Sequence, residues 1–343
     1  MTGPHEPTDG PLYAVVIPTL VRATLADCLA ALAAATGPRP AEIVLVDDRP
    51  EADADPAALA HPLRILGELR DRTRVLTSGG RGPAAARNTG ARAVGAPWTV
   101  FLDDDVQVGP HWCAQLAEDI GEAPDDTAGI QGVIAVPLPG ERRPTDWERG
   151  TAGLAEARWI TADMAYRTAV LKEVGGFDER FRRAFREDAD LALRVLDAGW
   201  GIRRGRRTTR HPVRPADRWV SLRAQRGNAD DALMSRLHGP GWWTEAAAPR
   251  GRIRTHVAVT ATGAGACALA ALGRPRAAAA LGLGWALGTA EFAWARIAPG
   301  PRTRHEVGTM LATSVLIPPA ATWHRLAGAW HHRRAPAWRE VTS

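Results

Sequence analysis

Three consecutive carboxylates, Asp103-Asp104-Asp105, follow the apolar run from Trp98 to Leu102. Their mutual repulsion demands an organising cation or several hydrogen-bond donors. Oxygen ligands beside a phosphate-bearing substrate suit Mg²⁺ or Mn²⁺, with the diphosphate completing the shell. Along an extended segment, alternation puts Asp103 and Asp105 on one side. Asp47-Asp48 ends a second apolar run, Glu42 to Val46. Either carboxylate could accept from a base N–H or a ribose hydroxyl, although Asp is also ordinary turn punctuation. Glu187-Asp188 opens a helical pattern that reaches Ala198 and stops at Gly199. A helix start favours ionised carboxylates, as a general base requires, but it weakens their basicity, so partial desolvation must compensate. Arg81 to Asn88 combines Gly82, small residues and Arg87 at another helix start, where free N–H groups can face an anion. His211 follows Arg203, Arg204, Arg206, Arg207 and Arg210. A histidine beside a metal–diphosphate site is a ligand or a phosphate donor. The arginine run reads as a solvated face, or as a contact for diphosphate or membrane phosphates.

These groups need a scaffold that brings them together. Leu12 to Ile17 reads as a buried strand stopped by Pro18, and Ala23 to Thr36 as a helix with Gly37 as its C-cap. Glu42–Val46, Arg74–Thr77 and Trp98–Leu102 are further strands. Pro83 starts a helix to about Val94, and Pro110 opens another. Apolar strands without polar alternation, separated by helices, predict a parallel sheet covered on both faces. Ligands bind such sheets at the carboxyl ends of the strands. Pro18-Thr19, Asp47-Asp48 and Asp103 to Asp105 all fall there, so one crevice should collect them.

The composition sets limits. The 343 residues allow one large domain, or one domain with an appendage. The pI of about 9.8 comes almost entirely from Arg and fits a partner carrying phosphate, a nucleotide or an anionic membrane surface. Cys28, Cys113 and Cys267 are too few and too far apart for a disulfide framework. Residues 1–11 read as a flexible tail with no secretory pattern, which points to the cytoplasm. Residues 12–218 hold nearly all the candidate chemistry, and 219–343 form an Ala-, Trp- and Arg-rich, mainly helical region. Its apolar stretches His256–Leu272, Ala277–Ala295 and Val307–Trp323 sit near the lower length limit for a membrane span. Packed helices and helices lying in a membrane interface are the alternatives. Trp242, Trp243, Trp294, Trp323, Trp330 and Trp338 suit an interfacial belt, a subdomain core or a wall for a lipid-linked or aromatic acceptor. The arginines do not interleave with stacking aromatics, so no nucleic-acid partner is expected.

Taken together, these residues resemble the family 2 glycosyltransferases, the large inverting group with the GT-A fold. The match covers about residues 12 to 215. It rests on the order of its motifs: Val16-Ile17-Pro18-Thr19, Val46-Asp47-Asp48, the Gly82 to Asn88 helix with the Asp103 to Asp105 DxD element, Gly175-Gly176-Phe177-Asp178-Glu179, and Glu187-Asp188. The resemblance implies an α/β domain with a mostly parallel sheet. It places Pro18, Thr19, Arg22, Asp47 or Asp48, and Gly82 on the nucleotide-sugar side, with Arg87 near the base. Asp103 or Asp104 would meet the ribose, and Asp105, with Asp103 and His211, would hold Mg²⁺ or Mn²⁺. Asp188 would be the general base, with Glu187 orienting it or touching the acceptor. Phe177 and Asp178 would line the acceptor, as would Asp163, which stands where relatives often have Asn. The implied reaction is an inverting transfer of a sugar from a nucleotide-diphosphate donor to an acceptor hydroxyl. UDP is the commonest donor base among relatives, with dTDP and GDP as alternatives. A sugar nucleotidyltransferase would carry a Gly-rich phosphate loop after the first strand, and Pro18 to Arg22 contains no Gly. An inactive scaffold is disfavoured by the intact Asp103, Asp105, Glu187 and Asp188.

Overall fold

From Tyr13 to Ile17 every side chain is apolar and fully buried, so this run forms a strand covered on both faces. The computed structural model describes residues 13–338. The expected tail 1–11, and Leu12, lie outside them. The elements follow as β1 (Tyr13–Thr19), α1 (Thr24–Ala34), β2 (Ile43–Asp47), α2 (Ala60–Ile65), β3 (Thr73–Thr77), α3 (Pro83–Ala93), β4 (Trp98–Leu102), β5 (Gln107–Val108), α4 (Trp112–Gly121), β6 (Thr127–Ala135), α5 (Asp146–Ala152), β7 (Asp163–Arg167), α6 (Thr168–Glu173), α7 (Glu187–Asp197) and β8 (Gly201–Arg210).

The eight strands form one sheet in the order β3-β2-β1-β4-β7-β6-β8-β5. β1 to β4 are parallel, as the apolar runs predict. The other half is not: β7 runs antiparallel to both β4 and β6, and β5 antiparallel to β8, while β6 and β8 are parallel. The sheet is therefore mixed. Antiparallel neighbours need no crossover helix packed on the sheet.

Gly37 is not the C-cap of α1, which ends at Ala35 in an extended conformation. Gly37 has φ +120°, and a Cβ there would lie 2.2 Å from the backbone nitrogen of Ala114. It allows the α1–β2 turn to pass against the start of α4.

The chain divides into two compact units. One runs through Val136 and resumes over Ala155–Pro212; the other joins Pro137–Leu154 to the chain from Val213 onward. The second unit thus takes α5 from the middle of the sequence. Its other helices are α8 (Val220–Arg223), α9 (Gly227–Leu237), α10 (Trp242–Glu245), α11 (Ile253–Ala271), α12 (Pro275–Ile297) and α13 (Arg304–His331). Thr145 and Glu148 form a reciprocal capping box at α5. Asp146, the next residue, accepts from Arg296 Nη2 at 2.8 Å and Ser221 Oγ at 3.1 Å. Gly328 of α13 lies so close to α9 that a Cβ would meet Ala229 Cα at 2.5 Å. The three predicted apolar stretches are α11, α12 and α13, and α13 continues through Pro318-Pro319. Among the described residues, no helix is long and apolar enough to cross a membrane.

His256 on α11 is buried with its ring edge-on to Phe292 at 4.8 Å. Burial, then Arg252 and Arg296, push its pKa down to about 4. A depressed histidine contributes stability above its ordinary value near 6.5, and that contribution disappears as pH falls towards 4. The melting temperature should therefore drop between pH 7 and pH 4.5, and His256→Gln should flatten part of that drop. Identical profiles for the two proteins would refute the assignment.

Candidate active site

The carboxyl ends of β1, β2 and β4 meet through their own hydrogen bonds. Thr19 Oγ1 donates to Asp104 Oδ2 at 2.7 Å, and the Asp48 amide donates to the Thr19 carbonyl at 2.8 Å. The Leu20 amide and Arg22 also reach Asp104, each at 3.4 Å. Asp104 is thus buried and committed to the loop after β1, whereas a ribose contact was expected of it or Asp103. Val21 in that loop has φ 55°, a conformation that β-branched residues avoid. Its amide is held by Thr19 Oγ1 at 2.8 Å. Pro18 sits inside β1, level with Val46 of β2.

The two aspartates of β2 have different jobs. Asp47 is gripped by Arg49, with Nη2 at 2.7 Å and Nε at 3.0 Å. Burial alone would raise its pKa, but Arg49 prevails and holds the carboxyl below its usual range. Asp48 accepts from Ser78 Oγ at 2.8 Å and the Gly82 amide at 3.0 Å, which ties β2 to the start of α3. Gly82 has φ +98°, and a Cβ there would stand 2.7 Å from the Arg182 carbonyl oxygen. The small residues that follow let α3 lie on β1 and β2: a Cβ on Gly90 would meet Val16 at 2.3 Å.

Arg87 corrects the expectation of a base-binding side chain. It is only 2% exposed and bridges two carboxylates, with Nη1 2.8 Å from Glu187 Oε1 and Nη2 2.8 Å from Asp103 Oδ1. Its charge also lies over the Phe177 ring, 5.6 Å from the centroid. One guanidinium therefore joins the end of β4 to the start of α7. Burial disfavours its charge, but Asp103 and Glu187 together raise its pKa further above the usual value.

α7 begins in a strained geometry. Its N-cap, Arg186, has φ 78°, outside the range that non-glycine residues favour. Glu187 and Asp188 occupy the first turn. Glu187 is buried, and its Oε2 has no hydrogen-bond partner among the described residues. Burial foremost, then Asp188, raises its pKa, with Arg87 opposing. Asp188 is half-buried, and its Oδ1 accepts from the Ala189 amide at 2.7 Å. Its pKa is raised too, by burial first, against the pull of that amide and of Arg87. Both carboxyls at the start of α7 are therefore partly desolvated.

Asp103, Asp105 and His211 converge, and one ligand atom from each lies within 4.8 Å of the others. His211 Nε2 stands 3.7 Å from Asp105 Oδ1. Its Nδ1 lies 3.3 Å from the Pro212 carbonyl, so a proton on Nδ1 leaves Nε2 free to act as a ligand. Two carboxylates and an imidazole suit Mg²⁺ or Mn²⁺. Asp103 keeps 28% of its side chain exposed, which leaves the cluster open to a substrate.

Three residues expected beside an acceptor are engaged within the protein. Asp163 is fully buried and takes Trp112 Nε1 at 2.7 Å, Arg207 Nε at 2.8 Å and Thr209 Oγ1 at 2.6 Å. A carboxylate stands here because it neutralises Arg207, itself fully buried and 3.1 Å from Asp119 as well. The arginine run is thus not wholly a solvated face. Phe177 packs edge-on to Phe101 at 5.1 Å under Arg87 and is only 3% exposed. Asp178 is engaged by Arg180, with Nη2 at 2.5 Å.

The roles of two residues escaped the sequence reading. Asn88 clamps the glycine-rich loop: its amide gives to the Phe177 carbonyl and takes from the Phe177 amide, both at 2.8 Å. Gly176, φ +71°, admits this clamp, because a Cβ would fall 2.6 Å from Asn88 Oδ1. The signal was the sequence Arg87-Asn88 itself, where a polar residue follows the buried arginine on an otherwise small-residue helix. Tyr166 on β7 is buried, and its hydroxyl pKa is raised by burial and by Asp188. No sequence pattern singles it out.

Comparison with known proteins places this geometry. Over 137 residues the chain is 32% identical to the pre-mycofactocin glycosyltransferase of Mycobacterium tuberculosis, in strains CDC 1551 and H37Rv. That match takes in 36% of this chain and 28% of the relative. The fold resembles the mannosyltransferase PcManGT from Pyrobaculum calidifontis, solved with GDP-Man and Mn²⁺, at a TM-score of 0.51. The alignment covers 93% of this chain and 88% of that one at 18% identity, which supports the GT-A architecture alone. The model of glycosyl transferase family 2 matches residues 14–191, just over half the chain and the span that carries β1 to the first turn of α7, and the chain belongs to that family.

Proposed function

We propose that the protein transfers a sugar from a nucleotide-diphosphate donor to an acceptor hydroxyl, with inversion and with a divalent metal. The observation that carries this reading is the Arg87 bridge, which sets the Asp103–Asp105–His211 cluster beside the Glu187–Asp188 pair. Asp105, Asp103 and His211 would hold the ion, which when bound neutralises the negative charge of the leaving diphosphate. Asp188 accepts the acceptor's hydroxyl proton while the new C–O bond forms at the anomeric carbon. The bond to the diphosphate oxygen breaks on the opposite side. Glu187, fixed by Arg87, would orient Asp188. Asp48 and the amide it holds at Gly82 shape the donor side, with the strained Thr19–Arg22 loop facing it.

The pyrimidine diphosphates UDP and dTDP, and GDP, are the donor bases to compare. GDP-Man and Mn²⁺ in the Pyrobaculum protein, and the pre-mycofactocin relative's name, supply starting ligands rather than assignments. A thermal-shift panel of these nucleotides with and without Mn²⁺ tests the reading. At 100-fold excess over Kd, binding adds about 2.7 kcal/mol, or about 5–10 °C for a unit this size. One nucleotide should give that shift only with Mn²⁺, and Asp105→Asn should abolish the metal-dependent part. An equal shift in EDTA would exclude the metal role. No shift with any nucleotide would exclude the donor assignment.

A further inference from the structure

α13 is amphipathic in the wrong sense for a helix of a water-soluble unit. Its buried side carries Glu306, Thr313 and Ser314 beside Met310 and Ile317. Its exposed side carries Leu311, Val315, Trp323, Leu326 and Trp330, with both tryptophans 69% exposed. Those positions advance by three or four residues, or by twice four across Pro319, so they form one stripe about 28 Å long. α12 adds Leu283, Leu287 and Trp294, each more than 60% exposed. Exposed apolar stripes of this kind mark an interaction site.

Charge says what covers it. Residues 213–343 hold 17 Arg against 7 Asp and Glu, a net charge of +10, whereas residues 1–212 hold 26 basic against 31 acidic residues, a net charge of −5. The positive charge is thus concentrated on the part of the chain that bears the apolar stripe. Arg333 lies over Trp330 at 4.0 Å and Arg302 over Trp294 at 5.8 Å, so cations stand directly beside the exposed indoles. A second copy would bring the same excess of positive charge against the first. An acidic protein would satisfy the arginines but leave the leucines and indoles unexplained. Leucine, tryptophan and arginine on one helix surface match the headgroup–acyl boundary of an anionic bilayer.

We infer that the outer face of α12 and α13 docks on an anionic lipid surface, lying in one leaflet rather than crossing it. This inference rests on the helical unit alone and does not depend on the reaction proposed above. The test is co-sedimentation of the full chain with vesicles of phosphatidylcholine, and of phosphatidylcholine with one quarter phosphatidylglycerol. Binding to the anionic vesicles should be at least tenfold tighter than to the neutral ones and should weaken as salt rises. Trp323→Ala with Trp330→Ala should reduce that binding at least tenfold, and Arg333→Glu with Arg334→Glu should do the same, while both variants keep the wild-type melting temperature. Absence of vesicle binding by the wild type would overturn the inference. So would binding that the tryptophan pair does not alter, or a dimer of the wild type in light scattering that the same pair converts to monomer.

Discussion

Asp188→Asn should reduce turnover by about 10²–10⁴-fold, the usual contribution of a positioned general base. The amide keeps the shape of the side chain and can still accept from the Ala189 amide, now 2.7 Å away. What it loses is the capacity to take a proton. The donor should bind as before, because Asp188 belongs to the α7 turn and not to the strand ends. Stability should move the other way. Burial raises the pKa values of both Glu187 and Asp188. A carboxyl raised on folding supports the fold only below its ordinary value, and the support is lost as pH rises through the raised one. At neutral pH ionisation of Asp188 is therefore a cost, and the Asn variant should melt at the same temperature or higher. For the same reason wild-type kcat should climb with pH across the raised range, and the climb should vanish in the residual activity of Asp188→Asn. Initial rates from pH 5 to 8, with melting curves on the same samples, decide this. Near-normal turnover by the variant would remove Asp188 from the chemistry.

Arg207→Met should be the most destabilising single change in the sheet, at about 3–5 kcal/mol, because it strands two buried carboxylates. Asp163 and Asp119 both depend on this one guanidinium, at 2.8 Å and 3.1 Å. There is little room to rearrange. Cβ atoms built at Gly132 and Gly205 would fall 2.3 Å and 2.1 Å from the carboxylate oxygens of Asp163 and Asp119. Arg207→Lys should recover only part of the loss, since an ammonium cannot reach both carboxylates and the Ile130 carbonyl in the same fork. Arg206, one residue earlier, pairs with Glu122 at the surface, and Arg206→Met should cost less than 1 kcal/mol. Chemical denaturation of the three variants separates them. A loss below about 1 kcal/mol for Arg207→Met would mean that the two carboxylates protonate or hydrate without penalty.

The legible half of the sheet is the half built from apolar runs. β1, β2 and β4 bury every residue except Pro18, so composition alone marks them, and the carboxylates at their ends come with them. β8 reads Gly-Ile-Arg-Arg-Gly-Arg-Arg-Thr-Thr-Arg and is invisible to that rule. It is held by ions, with Arg207 and Thr209 turned inward onto Asp163. The partner that makes a buried arginine tolerable lies 44 residues away, and no local pattern reveals it. Arg87 fails for a similar reason. Its type suggested a ligand for phosphate or base, but its two partners, 16 and 100 residues distant, convert it to an internal strut. The convergence of Asp103 and Asp105 was legible because alternation along an extended segment sets them on one side, whereas His211 comes to them from the end of β8, 106 residues after Asp105. The burial of Asp163 and Phe177 was not legible, because the residues that enclose them lie far away in sequence.

The excursion of Pro137–Leu154 into the second unit has a consequence for synthesis on the ribosome. As the chain emerges, β6 is finished before its partners β7 and β8 exist, and α5 is finished about 150 residues before Arg296, the cation that receives Asp146. Neither unit can close in the order in which it is made. For a time the nascent protein carries an incomplete sheet edge at β4 and β6 and, in the same stretch of chain, an α5 whose Asp146 has its local partner Arg149 but not yet Arg296. Release of the last helices therefore completes the assembly, and a stop codon placed after the catalytic strands would leave α5 permanently without the helices that receive it.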